Sequence, residues 1–211
     1  CEFAQLLSRF GSKVTMILRS GVLSREDAEV SAFVSEILGK EGVVILSGRL
    51  RRVHSESGGK VLIVDVTSGQ KRIEADEIII ATGTSPNITG MGLEFAAVEY
   101  DKKSGIKTNF MLMTANRNIY AAGDVCSEEN FGSLAGHTGG IAARNALMPF
   151  WFERGKKKIV SWSLNTDPPV ARTGLTEKQA ADCGLETESF SIQFSDIDRA
   201  LVDGDENGFI M

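Results

Sequence analysis

Apolar positions along this chain follow two rhythms, and the switch between them divides it. Phe3, Leu6, Leu7 and Phe10 fall at i, i+3, i+4 and i+7, one face of a helix, with Gly11 where a C-terminal cap belongs. KVTMIL (13–18) is then a short, β-rich apolar run, as expected for a buried parallel strand. A helix with no strand before it, followed by such a strand, is half of a βαβ unit. The chain therefore reads as an internal piece whose preceding strand and phosphate loop would lie upstream. Ser24 with Asp27 three positions on predicts a capping box opening a second helix. Its apolar stripe would be Val30, Phe33, Val34, Ile37 and Leu38, and Gly39 and Gly42 would close it.

From Val43 to Ala75 the period shortens. VVIL, RLRRV, KVLIVDV and KRIEA are strand-like and separated by turns such as SESGG and TSGQ, which predicts an antiparallel meander. EIIIATG (77–83) and NIYAAGDV (118–125) read as buried strands, the first ending in Gly and the second in Gly-Asp, on either side of an irregular stretch (84–117). The periodicity of Leu134, Ile141 and Leu147 predicts a helix over about 133–148. Its Gly139-Gly140 pair costs roughly 1 kcal/mol per glycine against alanine, so close packing or backbone approach is expected there. Beyond NTDPPVA (165–171), TEKQAADCG (176–184) reads as a short capped helix, SFSIQF (189–194) as a half-exposed strand, and GFIM (208–211) as a further strand.

At 211 residues and 42% hydrophobic, the chain can bury a sizeable core in one large or two small domains. A net charge of −5 with scattered basic residues argues against nucleic acid as a partner. The run Lys156-Lys157-Lys158 reads as a solvated loop. No apolar run approaches the roughly 18 residues of a membrane span, so no membrane partner is expected. The chain begins at Cys1, not Met, so a targeting segment could precede it; localisation is unknown, with the cytoplasm favoured. Cys1, Cys126 and Cys183 are isolated, and His54 and His137 have no ligand-like spacing to them. Neither a metal site nor a disulfide framework is expected, and the thiols read as small buried or half-exposed groups.

Two strand ends carry candidate chemistry. Gly83, closing IIIATG, would let backbone approach a dinucleotide closely, although a plain strand–turn explains it equally well. TANRNIYAAGDV (114–125) is more specific: Gly123-Asp124 sits at a strand's carboxyl end just before a helix. There an aspartate can accept hydrogen bonds from sugar or ribityl hydroxyls, or merely cap the helix. The end of the 13–18 strand adds a third feature. An NAD-binding strand usually ends in an acidic residue for the ribose 2′-OH, whereas this one ends in Leu18, then Arg19, with Arg25 six positions on.

The pair ATGTSPN and NIYAAGDV, forty residues apart from Gly83 to Gly123, resembles the pyridine nucleotide–disulfide oxidoreductases. CEFAQLLSRFGSKVTMI is similar to the helix after that family's NAD(P) glycine loop and its second strand. TDPPVARTGLTEKQA is similar to the opening of its dimerisation domain. GSKVTMILRSGVLSRED and DRALVDGDENGFI lie nearest the mercuric-reductase-like branch. The resemblance implies an α/β fold of three-layer FAD- and NAD(P)-binding, Rossmann-like domains with a β-meander, followed by the start of an α+β dimerisation domain. Residues 1–90 would be a truncated NAD(P)-binding domain, 91–160 the C-terminal part of the FAD-binding domain, and 161–211 the start of the dimerisation domain.

The resemblance also implies site residues. Asp124, with Gly123, would hold the ribityl chain of FAD, and the helix beginning near Ser133 would aim its N–H groups at the flavin pyrimidine edge. Glu2 would lie near the nicotinamide, and Gly83 would line that pocket. Arg19 and Arg25 would clasp the 2′-phosphate of NADPH, as in the NADPH-using members, unless they are simply solvated. The parent would be a homodimer passing a hydride from NADPH to FAD, then to a redox disulfide and a small-molecule or metal-ion substrate, with mercuric ion the first expectation. A dihydrolipoamide dehydrogenase or glutathione reductase relative is an alternative, and so is a non-catalytic dinucleotide-binding interaction or regulatory protein. The chain has no CxxxxC pair, GxGxxG loop or C-terminal His-Glu pair, so no catalytic residue is assigned and the chain alone is expected to be inactive.

Overall fold

The computed structural model describes residues 1–56, 58–127, 132–148, 152–153, 155 and 161–211. It forms two compact units, one of residues 1–80, 164–170 and 176–211, the other of 81–163 and 171–175.

The first unit opens with helix α1 (Glu2–Arg9), strand β1 (Thr15–Leu18), helix α2 (Ala28–Lys40) and strand β2 (Val44–Ser47). β1 and β2 pair in parallel, Thr15 opposite Val44 and Leu18 opposite Ser47, so β1–α2–β2 is a βαβ unit. VVIL thus belongs to this parallel pair and not to the meander expected of it. Val34 and Leu38 of the predicted α2 stripe are buried, and they pack with Ala4, Val22 and Val43 in the unit's core. The expected capping box is absent. α2 starts only after Asp27, which is the N-cap without a side-chain capping bond. Its carboxylate instead accepts the Glu177 N–H at 3.1 Å.

The meander itself is β3 (Arg49–Glu56), β4 (Gly59–Val66) and β5 (Gly69–Ala75), antiparallel in that order. β4 lies in the middle and supplies the buried Val61, Leu62 and Val64. The run 77–83 departs from expectation: it is irregular, with Ile79 57% and Ile80 81% exposed. A strand needs a neighbour to take its N–H and C=O groups, and none of the described residues supplies one.

α1 turns out to face differently from its apolar stripe. Phe3, Leu6 and Phe10 are exposed, while Ala4 and Gln5 are buried. Ala4 meets the apolar core of the unit, and Gln5 beside it meets polar groups.

In the second unit, β6 (Tyr100–Asp101) and β7 (Gly105–Ile106) form a small antiparallel pair. NIYAAGDV is extended but not a strand. Its one bridge joins Tyr120 to Met113, and it ends in a 3-10 turn, Gly123–Val125. Helix α3 (Gly132–Leu147) follows, close to the expected span. Ile88, Leu93, Val98, Ile106 and Ala121 make one core cluster, and Leu112, Ile141 and Ala142 another. Nothing lies within 4 Å of where a side chain on Gly139 or Gly140 would start, so the close packing predicted there is not found among the described residues. β8 (Ser161–Leu164) and β9 (Val170–Thr173) pair as a two-stranded sheet. The lysine run 156–158 lies outside the described residues.

Back in the first unit, α4 (Glu177–Asp182) is capped as predicted, by a capping box between Thr176 and Gln179. β10 (Ile192–Gln193) pairs antiparallel with β11 (Phe209–Ile210), so the strand expected over 189–194 shortens to two residues; α5 (Asp198–Asp203) lies between them.

Candidate functional site

At the carboxyl end of β1 the Leu18 carbonyl is taken by the Gly48 N–H at 2.9 Å, and no acidic side chain stands at this position. Arg19 and Arg25 are both exposed, and among the described residues neither has a carboxylate partner or a side-chain hydrogen bond. Arg9 and Arg72, by contrast, are each tied to two carboxylates. Arg19 and Arg25 therefore keep their full complement of N–H donors, a donor set that suits a phosphate dianion and gives a 2′-hydroxyl no anionic acceptor.

α1 carries the second candidate group. Glu2 Oε1 accepts the Asn165 N–H at 2.7 Å. One turn on, Gln5 bonds both the N–H and the carbonyl of Asp167, and Arg9 joins the Asp167 carboxylate to Glu41. The Arg9 guanidinium holds the Glu41 carboxyl below the usual carboxylate range, with smaller help from Gln5. Hydrogen bonds to Glu41 and then Asp167 push the Arg9 pKa further up.

The third group lies in the second unit and is built by backbone. Gly123 has φ +72, and a Cβ there would stand 2.9 Å from the Ala135 Cβ on α3. Its N–H donates to the Thr138 hydroxyl at 3.1 Å, and that hydroxyl donates to the Leu134 carbonyl at 2.8 Å. Gly105 (φ +80) fits under the same turn, since its Cβ would fall on the Val125 carbonyl oxygen. Asp124 projects from this tightly seated turn, exposed and with no side-chain partner among the described residues. A free carboxylate beside the first turns of a helix fits a polyol chain ending in a ring that takes up negative charge. Ser133 lies in the first turn of α3, and its side chain is outside the description. Gly83, also in this unit, has φ +124, and among the described residues no atom lies within 4 Å of the place a Cβ would take.

The structure thus seats the Gly123-Asp124 turn against α3, and sets Arg19 just past the end of β1 and Arg25 in the turn before α2. Three contributors escaped the sequence reading. Gln5 had a signal, the spacing of Glu2, Gln5 and Arg9 at i, i+3 and i+7 on the polar side of α1. Thr138 and Gly105 had none, because their importance comes from contacts distant in sequence.

A strand end without an acidic residue lies in one unit, and a glycine-seated Asp turn before a helix lies in the other. The chain belongs to the pyridine nucleotide-disulphide oxidoreductases: the family model matches residues 1–148, and the model of the family's dimerisation domain matches residues 160–211. Family members are enzymes that work with FAD and NAD(P)H. The mercuric reductase of Staphylococcus aureus is 34% identical over 98% of this chain and 38% of its own length. The dihydrolipoyl dehydrogenase of Thermus scotoductus is 30% identical over 99% of this chain and 46% of its own. Among solved structures, the HOCl-induced flavoprotein disulfide reductase RclA of Escherichia coli superposes with a TM-score of 0.83 at 26% identity, over 98% of this chain and 47% of that one. The chain therefore spans less than half the length of these relatives.

Proposed function

We propose that this chain is the central portion of a homodimeric flavoprotein that passes a hydride from NADPH to FAD and on, through a redox disulfide, to a small-molecule or metal-ion substrate. In this reading Arg19 and Arg25 bind the 2′-phosphate, Glu2 and Gly83 border the nicotinamide, and Asp124 holds the flavin ribityl chain with Gly123 and the Ser133 end of α3 around it. The observation that carries the nucleotide choice is that Arg19 and Arg25, in the loop after β1, have no carboxylate partner among the described residues, and that β1 ends in Leu18 rather than an acidic residue. Mercuric ion is the first substrate to test, because the S. aureus mercuric reductase is 34% identical over 98% of this chain. The dihydrolipoyl dehydrogenase relative keeps a dithiol–disulfide substrate as the second reading. A cytoplasmic site fits a chemistry that draws on NADPH.

The test uses the FAD-loaded protein with its flanking coding sequence. NADPH should bleach the flavin anaerobically with a higher kcat/KM than NADH, and mercuric ion should then reoxidise it. Faster reduction by NADH would overturn the nucleotide assignment. Reoxidation by lipoamide but not by mercuric ion would move the substrate to the second reading.

A further inference from the structure

Glu2, Gln5 and Arg9 line one face of α1, and all three grip a single short segment. Asn165 donates its N–H to Glu2 Oε1 at 2.7 Å. Gln5, only 4% exposed, spends its carboxamide almost wholly on one residue. It accepts the Asp167 N–H at 2.8 Å and donates to the Asp167 carbonyl at 2.7 Å; its Nε2 also donates to Glu41 Oε1 at 3.0 Å. Arg9 donates to the Asp167 carboxylate at 2.7 Å and to the two Glu41 oxygens at 2.9 and 2.6 Å. A buried amide saturated in this way is held in one orientation, because turning it strands polar atoms away from water. Residues 164–170 share a compact unit with α1, yet they fall in the stretch matched by the dimerisation-domain model.

We propose that Gln5, backed by Arg9, is a positioning residue for the nicotinamide end of the pyridine nucleotide site. It clamps segment 165–167 along α1 and so aims the Asn165 N–H at Glu2, fixing the carboxylate that faces the nicotinamide. This rests on the reading of Glu2 given above. An N–H donated to a carboxylate is a charge-assisted bond, so it fixes the rotamer of Glu2. A shift of the 165–167 segment would then reach the transfer of hydride to FAD without altering a contact at the 2′-phosphate or the ribityl chain.

The experiment is anaerobic rapid mixing of the FAD-loaded, full-length protein with saturating NADPH, following flavin absorbance across pH. Three variants are compared with the wild type: Glu2→Gln, Gln5→Leu and Gln5→Glu. Glu2→Gln should slow flavin reduction, because it removes the charge while keeping an acceptor for Asn165. Gln5→Leu should slow it about fivefold or more, the low end of ordinary coupling between sites. Gln5→Glu is the sharper probe and needs only one folded sample. A protonated carboxyl group still offers one donor and one acceptor to Asp167, whereas an ionised one turns charge on the Asp167 carbonyl and on Glu41, with Arg9, Glu2 and the Asp167 carboxylate the other charged groups around it. Its reduction rate should be near wild type at low pH and fall as pH rises, a step the wild type lacks.

A purely structural Gln5 would lower the melting temperature of its variants and leave the saturating rate at the wild-type value at every pH. That result, with Glu2→Gln slow, overturns the clamp and keeps the reading of Glu2. A Glu2→Gln protein that reduces its flavin at the wild-type rate overturns the reading of Glu2 and the clamp with it.

Discussion

In the loop between β1 and α2, Arg19 and Arg25 stand exposed and, among the described residues, unpartnered, beside a strand whose own backbone is already paired. At residues 123–125 the reverse holds: a backbone turn is wedged between Gly105 and α3, and its one charged side chain, Asp124, projects from a rigid seat. The first region offers charge with little built around it. The second offers shape, with the charge carried on top. A substitution at the β1 end should therefore change what binds and leave folding alone, whereas one beneath the turn should disturb folding first and FAD retention as a consequence.

The largest effect is expected at Gly105. Alanine there meets the Val125 carbonyl oxygen at a φ of +80. Backbone strain and overpacking together should cost roughly 3 kcal/mol or more. Urea unfolding and retained flavin absorbance measure it, and a variant that keeps both would show that the turn is not seated as described. Gly123→Ala comes next, at roughly 2–3 kcal/mol, because its Cβ meets another side chain, Ala135 Cβ at 2.9 Å, which can yield a little.

At the other region, the Arg19→Ala, Arg25→Ala double variant should melt like the wild type. It should lose about 1.5–3 kcal/mol of NADPH preference, about tenfold or more in kcat/KM, with NADH hardly affected. Retained preference would make the pair an ordinary solvated surface and dissolve the contrast. Thr138→Val tests the seat from the helix side. It removes the acceptor of the buried Gly123 N–H, for a loss of about 1–2 kcal/mol.

The smallest effect is a pH dependence at α1, which belongs to neither region and calibrates both. The Glu41 carboxyl, held by Arg9, titrates below its ordinary 4.5 in the folded chain. Because the folded value is the lower one, its contribution is fully present above the ordinary value and is lost as pH falls through the folded one. Glu36, Glu56, Glu94 and Asp101 shift in the same direction. The check is therefore a difference: Glu41→Gln should make the fall in urea midpoint at acid pH shallower than in the wild type.

Much was legible from residue order alone. The α2 stripe, the span of α3, the Thr176 capping box and the hairpins of β3–β5 are local patterns, in which each element satisfies its own hydrogen bonds or those of its chain neighbour. The family was legible for a related reason: ATGTSPN and NIYAAGDV are short motifs at a fixed spacing that can be read from residue order alone. The arginine pair could be seen, though not that neither side chain would meet a carboxylate among the described residues.

Tertiary structure decided what depends on distant partners. EIIIATG has the composition of a strand, but a strand exists only where another takes up its backbone, and among the described residues none does. NIYAAGDV likewise gained a single bridge, and its glycine was claimed by the approach of α3. On α1, periodicity marked the apolar face correctly but could not show which face would be met. The segment from 165 to 167 reached the polar one, because a carboxamide, a guanidinium and a carboxylate there find matching groups more than 150 residues away in sequence.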